Sequence, residues 1–469
     1  MTDAPTLTVP STGVQQRLLW AAILASFVSF LDGSIVNIAL PAVARDIGGG
    51  IVLQQWVIDG YLLTLSALIL TAGAVSDAFG RLRVLRIAIV AFAVTSLLCA
   101  ASPTAGVLVV ARLLQGVAGA LLVPGSLGLI VATFDGEAQS KAIGRWTAWT
   151  SVSFLVGPVL GGLLVDAVGW RSIFVLSVLP AAASMLLLGS LRDEERTGPR
   201  ARIDLASAAL AAVGLGGLVT GLIEMGAYSR RGTSGGSPTL PLPVVIGMLV
   251  LGAACVVAFV LRDRRARHPL VPPALFREGN FAAGNLATLF IYAGLSLAGL
   301  LPTLFLQQVV GLPATLAAVV GLPTTVLMIL LSGRFGALAG RFGPRLFMTA
   351  GPLLAAAGSV LMAFVRSPDT ALWLIVPGMV LFGLGLAATV APLTAAVLGA
   401  VPPAQSGIGS AINNAVARVA GLVAVACAGW ILGGAMTLPG FARSALVFGA
   451  LLAAGGLVSL AGIRNPERA

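Results

Sequence analysis

The sequence predicts an all-α membrane protein in which two six-helix bundles flank a pair of inserted helices, fourteen membrane-spanning helices in all. Three observations carry that expectation. Of the 469 residues, 58% are hydrophobic and only 10% charged, at a mean hydropathy of +1.02, whereas soluble domains carry about a quarter charged residues. Apolar windows of about 20 residues, the length that crosses a bilayer, recur along the chain. Finally, AGAVSDAFGRLR from Ala72 returns in degenerate form as FGALAGRFGPR from Phe335, and AQSKAIG from Ala138 returns as AQSGIG from Ala404.

The windows fall at roughly 17–41, 53–76, 83–102, 105–133, 142–165, 171–191, 204–226, 242–262, 281–308, 314–337, 345–365, 371–399, 405–431 and 441–463. Repeats in the same order indicate halves related by an axis along the membrane normal, a plan used by secondary transporters. The repeat assigns helices one to six to one half and nine to fourteen to the other, leaving seven and eight as an insertion. The expected division is a tail over 1–16, a first bundle over 17–191, linkers and inserted helices over 192–280, a second bundle over 281–463 and a tail over 464–469.

Basic residues set the orientation, because short cytoplasmic loops are enriched in Lys and Arg. Only Arg45, Arg171, Arg230, Arg231, Arg366 and Arg443 fall on the side opposite the N-terminus. Arg112 and Arg418 stand inside helices, and the rest of the 28 lie on the N-terminal side. Both termini are therefore expected in the cytoplasm of a cell or plasma membrane protein. This one-sided distribution also accounts for the net charge of +11 without a nucleic-acid partner. Cys99, Cys255 and Cys427 sit in apolar runs without paired spacing, and the one His, His268, lies in a basic loop. No metal site, cofactor or enzyme chemistry is indicated.

The first helix carries LDGSIVNIALP from Leu31 to Pro41, with a carboxylate, Asp32, inside the span. Ionisable residues at that depth are costly and normally face a bundle interior or a water-filled cavity. Counted by helical rise, Asp32 lies about 13 Å, Asp59 about 9 Å and Arg112 about 12 Å from the ends of their helices on the side opposite the N-terminus. The three are expected at one level and in mutual contact. A purely structural Asp–Arg pair is the alternative; the surplus carboxylate favours a protonation role.

The loop GAVSDAFGRLRVL offers Gly73 and Gly80 for close approach and a tight turn, Asp77 at a helix end, and Arg81 and Arg83 for charge contacts across the bundle interface. The fifth helix repeats Ser153, Gly157 and Gly161 at four-residue spacing, a groove for a neighbouring helix, and Pro158 bends it. Asn413, Asn414 and Arg418 on the thirteenth helix and Gln307 on the ninth are polar groups either for interhelical hydrogen bonds or for substrate.

On these residues the chain resembles the major facilitator superfamily, and within it the fourteen-span drug/proton antiporters. LDGSIVNIALP and WVIDGYLLTL from Trp56 are similar to that subfamily's first two helices. Gly73 to Leu85 is similar to the superfamily's loop motif, and Arg112, Gln115, Gly116 and Gly119 to its fourth-helix motif. Gly157, Pro158, Gly161 and Gly162 are similar to its fifth-helix antiporter motif. The loop departs from the pattern at Ala78 and Leu82, where basic residues are usual, and no carboxylate occurs in the core of helices nine to fourteen.

The resemblance implies a major facilitator fold and proton-coupled export of amphipathic or lipophilic drugs, dyes or antibiotics by alternating access. Asp32, Asp59 and Arg112 would couple protons, and the chain would act as a monomer whose partners are protons, a small molecule and the bilayer. The expected cavity includes Phe30, Asn37, Tyr61, Gln115, Tyr292, Gln307, Asn413, Asn414 and Arg418. Transport of one specific metabolite on the same fold is the alternative.

Overall fold

A computed structural model describes residues 12–189, 204–228, 240–266, 269–402 and 405–465. The arginines between 190 and 203, Arg230, Arg231, His268 and Arg468 lie outside the described residues. Among these residues fourteen helices are long and apolar enough to cross a membrane.

The first six helices are α1 (Thr12–Ile47), α2 (Gly50–Phe79), α3 (Arg81–Ala100), α4 (Ala105–Thr133), α5 (Gly136–Ala167) and α6 (Arg171–Gly189). α1 packs against α4, α5 and α6, and α4 packs against α2 and α3. The insertion is α7 (Leu205–Tyr228) paired with α8 (Leu242–Arg265). The second set is α9 (Gly279–Gln308), α10 (Ala314–Phe342), α11 (Pro344–Ala363), α12 (Ala371–Gly399), α13 (Ser406–Ala426), the short α14 (Ala428–Leu432) and α15 (Leu438–Gly462). There α12 packs on α10 and α11, and α9 on α13 and α15.

Local chemistry fixes the junctions. Thr104 and Thr437 cap α4 and α15 through side-chain oxygens that accept from the Val107 and Gly440 backbone N–H groups, relieving donors that no helix can satisfy internally. Gly80, with φ of 94°, turns α2 into α3, and Gly343, with φ of 90°, turns α10 into α11. Both hold a backbone conformation that favours glycine, at matching places in the two halves, as the repeated loop implies.

Two differences from the sequence windows bear on the site and the seam. α1 runs through Pro41 to Ile47, because the one backbone bond a proline removes is tolerated in a membrane helix packed by neighbours. Asp32 is thus about 22 Å from that end by helical rise, deeper than a stop at Pro41 implies. The thirteenth window divides at Cys427 into α13 and α14.

The two sets meet along α1 with α9, α2 with α13, and α5 with α10. Every described hydrogen bond between them lies on the half opposite the start of α1, here the far half. Gln55 Nε2 donates to the Val425 and Ala426 carbonyls at 2.8 Å each. Gln307 Nε2 donates to the Ile38 carbonyl at 3.0 Å. Asp166 at the end of α5 accepts from the Ala314 and Thr315 backbone N–H groups and the Thr315 hydroxyl at 3.0, 2.8 and 2.7 Å. One set thereby caps a helix N-terminus of the other, where a carboxylate is favoured. On the inserted side, Leu215, Val219 and Ile223 of α7 pack with Leu63 and Ala67 of α2 and Leu422 and Ala426 of α13, so α7 touches both sets.

Candidate functional site

Arg112 on α4 is fully buried together with Asp32 of α1. Its Nη1 donates to Asp32 Oδ2 and to Gln115 Oε1, both at 2.7 Å, and its Nε donates to the Val57 carbonyl of α2 at 2.7 Å. Gln115 completes the ring, donating from Nε2 to Asp32 Oδ1 at 3.1 Å and to Ser96 Oγ of α3 at 2.7 Å. Four helices therefore neutralise and bond one ion pair, as a pair removed from water requires.

The backbones come close enough for this because of two glycines on α4. A Cβ on Gly116 would strike the Tyr61 carbonyl and the Thr64 hydroxyl, and one on Gly119 would meet the Tyr61 hydroxyl at 2.8 Å. Tyr61 fills the space so left, its ring 4.5 Å below the Arg112 guanidinium and its hydroxyl 2.8 Å from Ser29 Oγ.

Asp59 does not join this cluster. Both its carboxylate oxygens are buried without a hydrogen-bond partner, and the residue faces the α13–α14 junction, where Cys427 feels its charge. At 100° per residue, Val57, Gly60, Tyr61 and Thr64 share the face of α2 that meets α4, while Asp59 falls about 200° from Val57, on the face it shares with Gln55. Equal depth does not imply contact, and the expected three-charge cluster is a two-charge pair with a separate carboxyl.

The glycines of α5 divide their work. A Cβ on Gly157 would strike the Ser34 hydroxyl and one on Gly161 would strike Ile35, so α1 lies against α5 immediately beside Asp32. A Cβ on Gly162 would meet the Thr315 backbone at 2.6 Å, which places this motif at the seam with α10. Pro158 lies within the continuous helix.

In the α2–α3 loop, Gly80 makes the turn as expected. Gly73 has open space where a side chain would stand, so close approach does not require it. The bond described for Arg81, Nη1 to the Gly128 carbonyl at 2.9 Å, stays inside its own bundle rather than crossing the interface. Arg83 is exposed, and the Asp77 side chain lies outside the described residues.

Several of the expected cavity residues are committed elsewhere. Gln115 serves the ion pair and Gln307 ties α9 to α1. Asn413 donates to Asn285 Oδ1 and Thr288 Oγ1 of α9 at 3.3 and 2.7 Å. Phe30 packs on Phe154 and Trp146 of α5, with ring centroids 5.6 and 6.5 Å away. Asn37 and Tyr292 are half-buried and Asn414 is exposed. Arg418, half-buried on α13, lies within electrostatic reach of Tyr61 and Tyr292. Sequence reasoning missed Asp166 and Gln55, whose roles depend on a helix end brought close only by the fold.

A separate apolar cavity of about 330 Å³ lies where the insertion meets α2 of the first set and α9 and α13 of the second, lined by Thr71, Leu215, Phe259, Phe276, Leu289 and Val416 among others. It contains none of the residues expected from the sequence.

Residues 22–425 match the model of the Major Facilitator Superfamily. The chain is 34% identical over 424 residues to the multidrug resistance protein Stp of Mycobacterium tuberculosis, covering 89% of this chain and 76% of that protein. It is 34% identical over 427 residues to the puromycin resistance protein pur8 of Streptomyces alboniger, covering 88% and 82%. With the tetracenomycin C resistance and export protein of Streptomyces glaucescens the identity is 33% over 435 residues, covering 90% and 77%. A crystal structure of a POT family transporter in complex with a thioalcohol-conjugated peptide superposes with a TM-score of 0.68 at 12% identity, covering 95% of this chain and 94% of that one, a likeness of fold alone. Helix count, paired bundles, family model and relatives agree, and the chain belongs to the Major Facilitator Superfamily as a multi-pass membrane transporter.

Proposed function

We propose that the protein is a proton-coupled exporter of amphipathic or lipophilic small molecules, working as a monomer with both termini in the cytoplasm. The observation that carries this is Asp59, a buried carboxyl with no hydrogen-bond partner, set in the seam between the bundles. Ionised, it would be unsolvated, unpaired and close to the C-terminal end of α13, whose dipole disfavours negative charge. Protonated, it is tolerated there.

A proton taken from the far side, the outside in this orientation, therefore favours the arrangement described, with the far half latched. Loss of that proton favours separation of α2 from α13. Asp32 is the second protonatable group: its neutralisation frees Arg112 from its counter-ion and alters the contact of α4 with α1. The antiporter glycines, the resistance functions named for three relatives and the word export in one of those names support outward transport.

The test is drug-driven proton movement in proteoliposomes of the full chain. The wild type is expected to move protons against a lipophilic substrate, Asp59→Asn to bind substrate while losing the pH dependence, and Asp32→Asn to lose coupled flux. Full coupling retained in both variants would overturn the assignment.

A further inference from the structure

Arg418 is the one membrane-embedded cation whose charge the structure leaves unanswered among the described residues. It lies about 18 Å along α13 from Ser406 by helical rise, at the seam between the bundles, half-buried. Its Nε is buried without a hydrogen-bond partner, and no described residue accepts a bond from its guanidinium. The polar groups within its electrostatic reach are Tyr61 across the seam and Tyr292 on α9, and neither is an acid at neutral pH.

No Asp or Glu occurs anywhere in the membrane helices from α9 to α15. Asp32 is committed to Arg112, and Asp59 faces the end of α13 about two turns farther along. An arginine does not discharge itself by losing a proton, so this charge persists in every state of the transporter. Neighbouring polar residues behave differently: Asn413, Gln55 and Gln307 all spend their amides on helix-to-helix bonds. A guanidinium whose Nε is buried without an acceptor is expensive unless something supplies one.

We propose that Arg418 recognises an anionic group on the transported molecule, a carboxylate or a similar planar oxyanion, and that the substrates are amphipathic organic acids. The proposal rests on the transporter reading and names its substrate class. The guanidinium fork matches two carboxylate oxygens, and the Tyr292 hydroxyl and the exposed Asn414 amide, one turn away on α13, are further donors. A cationic compound would meet a like charge at this position. Tyr61 lies within electrostatic reach of both Arg418 and Asp32, which puts a bound anion close to the proton-coupling pair.

The experiment compares 7-methoxycoumarin-4-acetate, its methyl ester and ethidium. Binding to the purified full chain is followed by fluorescence, and transport is followed in vesicles of phosphatidylcholine alone, so that no acidic lipid competes for the site. The wild type is expected to bind the acid about tenfold or more tighter than the ester, the scale of a charge-assisted hydrogen bond. Arg418→Gln should erase that preference, bringing the acid down to the affinity of the ester, and Arg418→Lys should keep part of it.

Wild type that binds the ester or ethidium as well as the acid, or that binds none of the three, overturns the proposal. So does an Arg418→Gln variant that loses acid and ester together while melting as the wild type does. If the acid binds through Arg418 but no pH gradient moves it, the anion site stands and proton-coupled export falls. If a pH gradient moves ethidium or the ester but not the acid, export stands and the anion site falls.

Discussion

At the scale of single residues, the Asp32–Arg112 pair is an ionic bond whose two halves were readable separately and whose geometry was not. Removing one partner leaves a buried charge, so Asp32→Ala is expected to cost about 3–5 kcal/mol, and Gln115→Ala about 1–3 kcal/mol through an unsatisfied acceptor and donors. Chemical denaturation in detergent measures both. A double-mutant cycle of Asp32→Ala with Arg112→Met should recover much of the first loss, since the orphaned charge goes with its partner. The pairing was legible because both residues lie at depth in apolar helices. The isolation of Asp59 was not, because hydropathy and helical rise give depth while the side of the helix depends on which neighbour packs where. Once Val57 and Tyr61 are known to face α4, the opposite placement of Asp59 follows from 100° per residue.

At the scale of helices, glycine positions and helix ends decide which elements touch. Gly162 meets the Thr315 backbone, which has no flexible side chain to give way. Gly162→Ala should therefore loosen the α5–α10 seam and lower transport severalfold, whereas Gly73→Ala, with open space around it, should leave transport unchanged; initial efflux rates distinguish them. The two glycines look alike in sequence, since each lies in a stretch that resembles a family motif, and only the neighbouring backbone separates their roles. Asp166→Ala removes the cap on α10, worth about 0.5–2 kcal/mol. In a background lacking Cys99, Cys255 and Cys427, a cysteine at Asn37 should then be labelled faster by an impermeant maleimide added from the far side. At the start of α7, outside the membrane spans, the Ser207 hydroxyl and backbone N–H together with Arg262 hold the Asp204 carboxyl down to about 2. That anchor is present above the ordinary carboxylate pKa of about 3.9 and is lost as pH falls through the lower value, so melting of the protein should not respond to it between about pH 5 and 8.

At the scale of the whole molecule, the helix count and the repeat were legible because spanning length and hydropathy are summed properties that tolerate errors of several residues at each end. The face on which the bundles are latched was not legible. Asp166, Gln55 and Gln307 are ordinary polar residues until the fold sets them against Thr315, Ala426 and Ile38. If those contacts alternate during transport, joining cysteines at Asp166 and Thr315 with a bifunctional thiosulfonate should stop efflux, and reductant should restore it; efflux that continues through the cross-link would show that this seam stays shut. The insertion adds an asymmetry of its own. Because α7 rests on α2 and α13 at once, the bundles are bound along one edge in the manner of a book's spine. Movement of α2 away from α13 must strip α7 from one of them, while the opposite edge, where α5 meets α10, is held instead by the Asp166 cap and the close approach of Gly162 to Thr315. A rocking motion built on this frame is lopsided: one edge must peel a whole helix from its neighbour, whereas the other parts by releasing the bonds of a single carboxylate at a helix end.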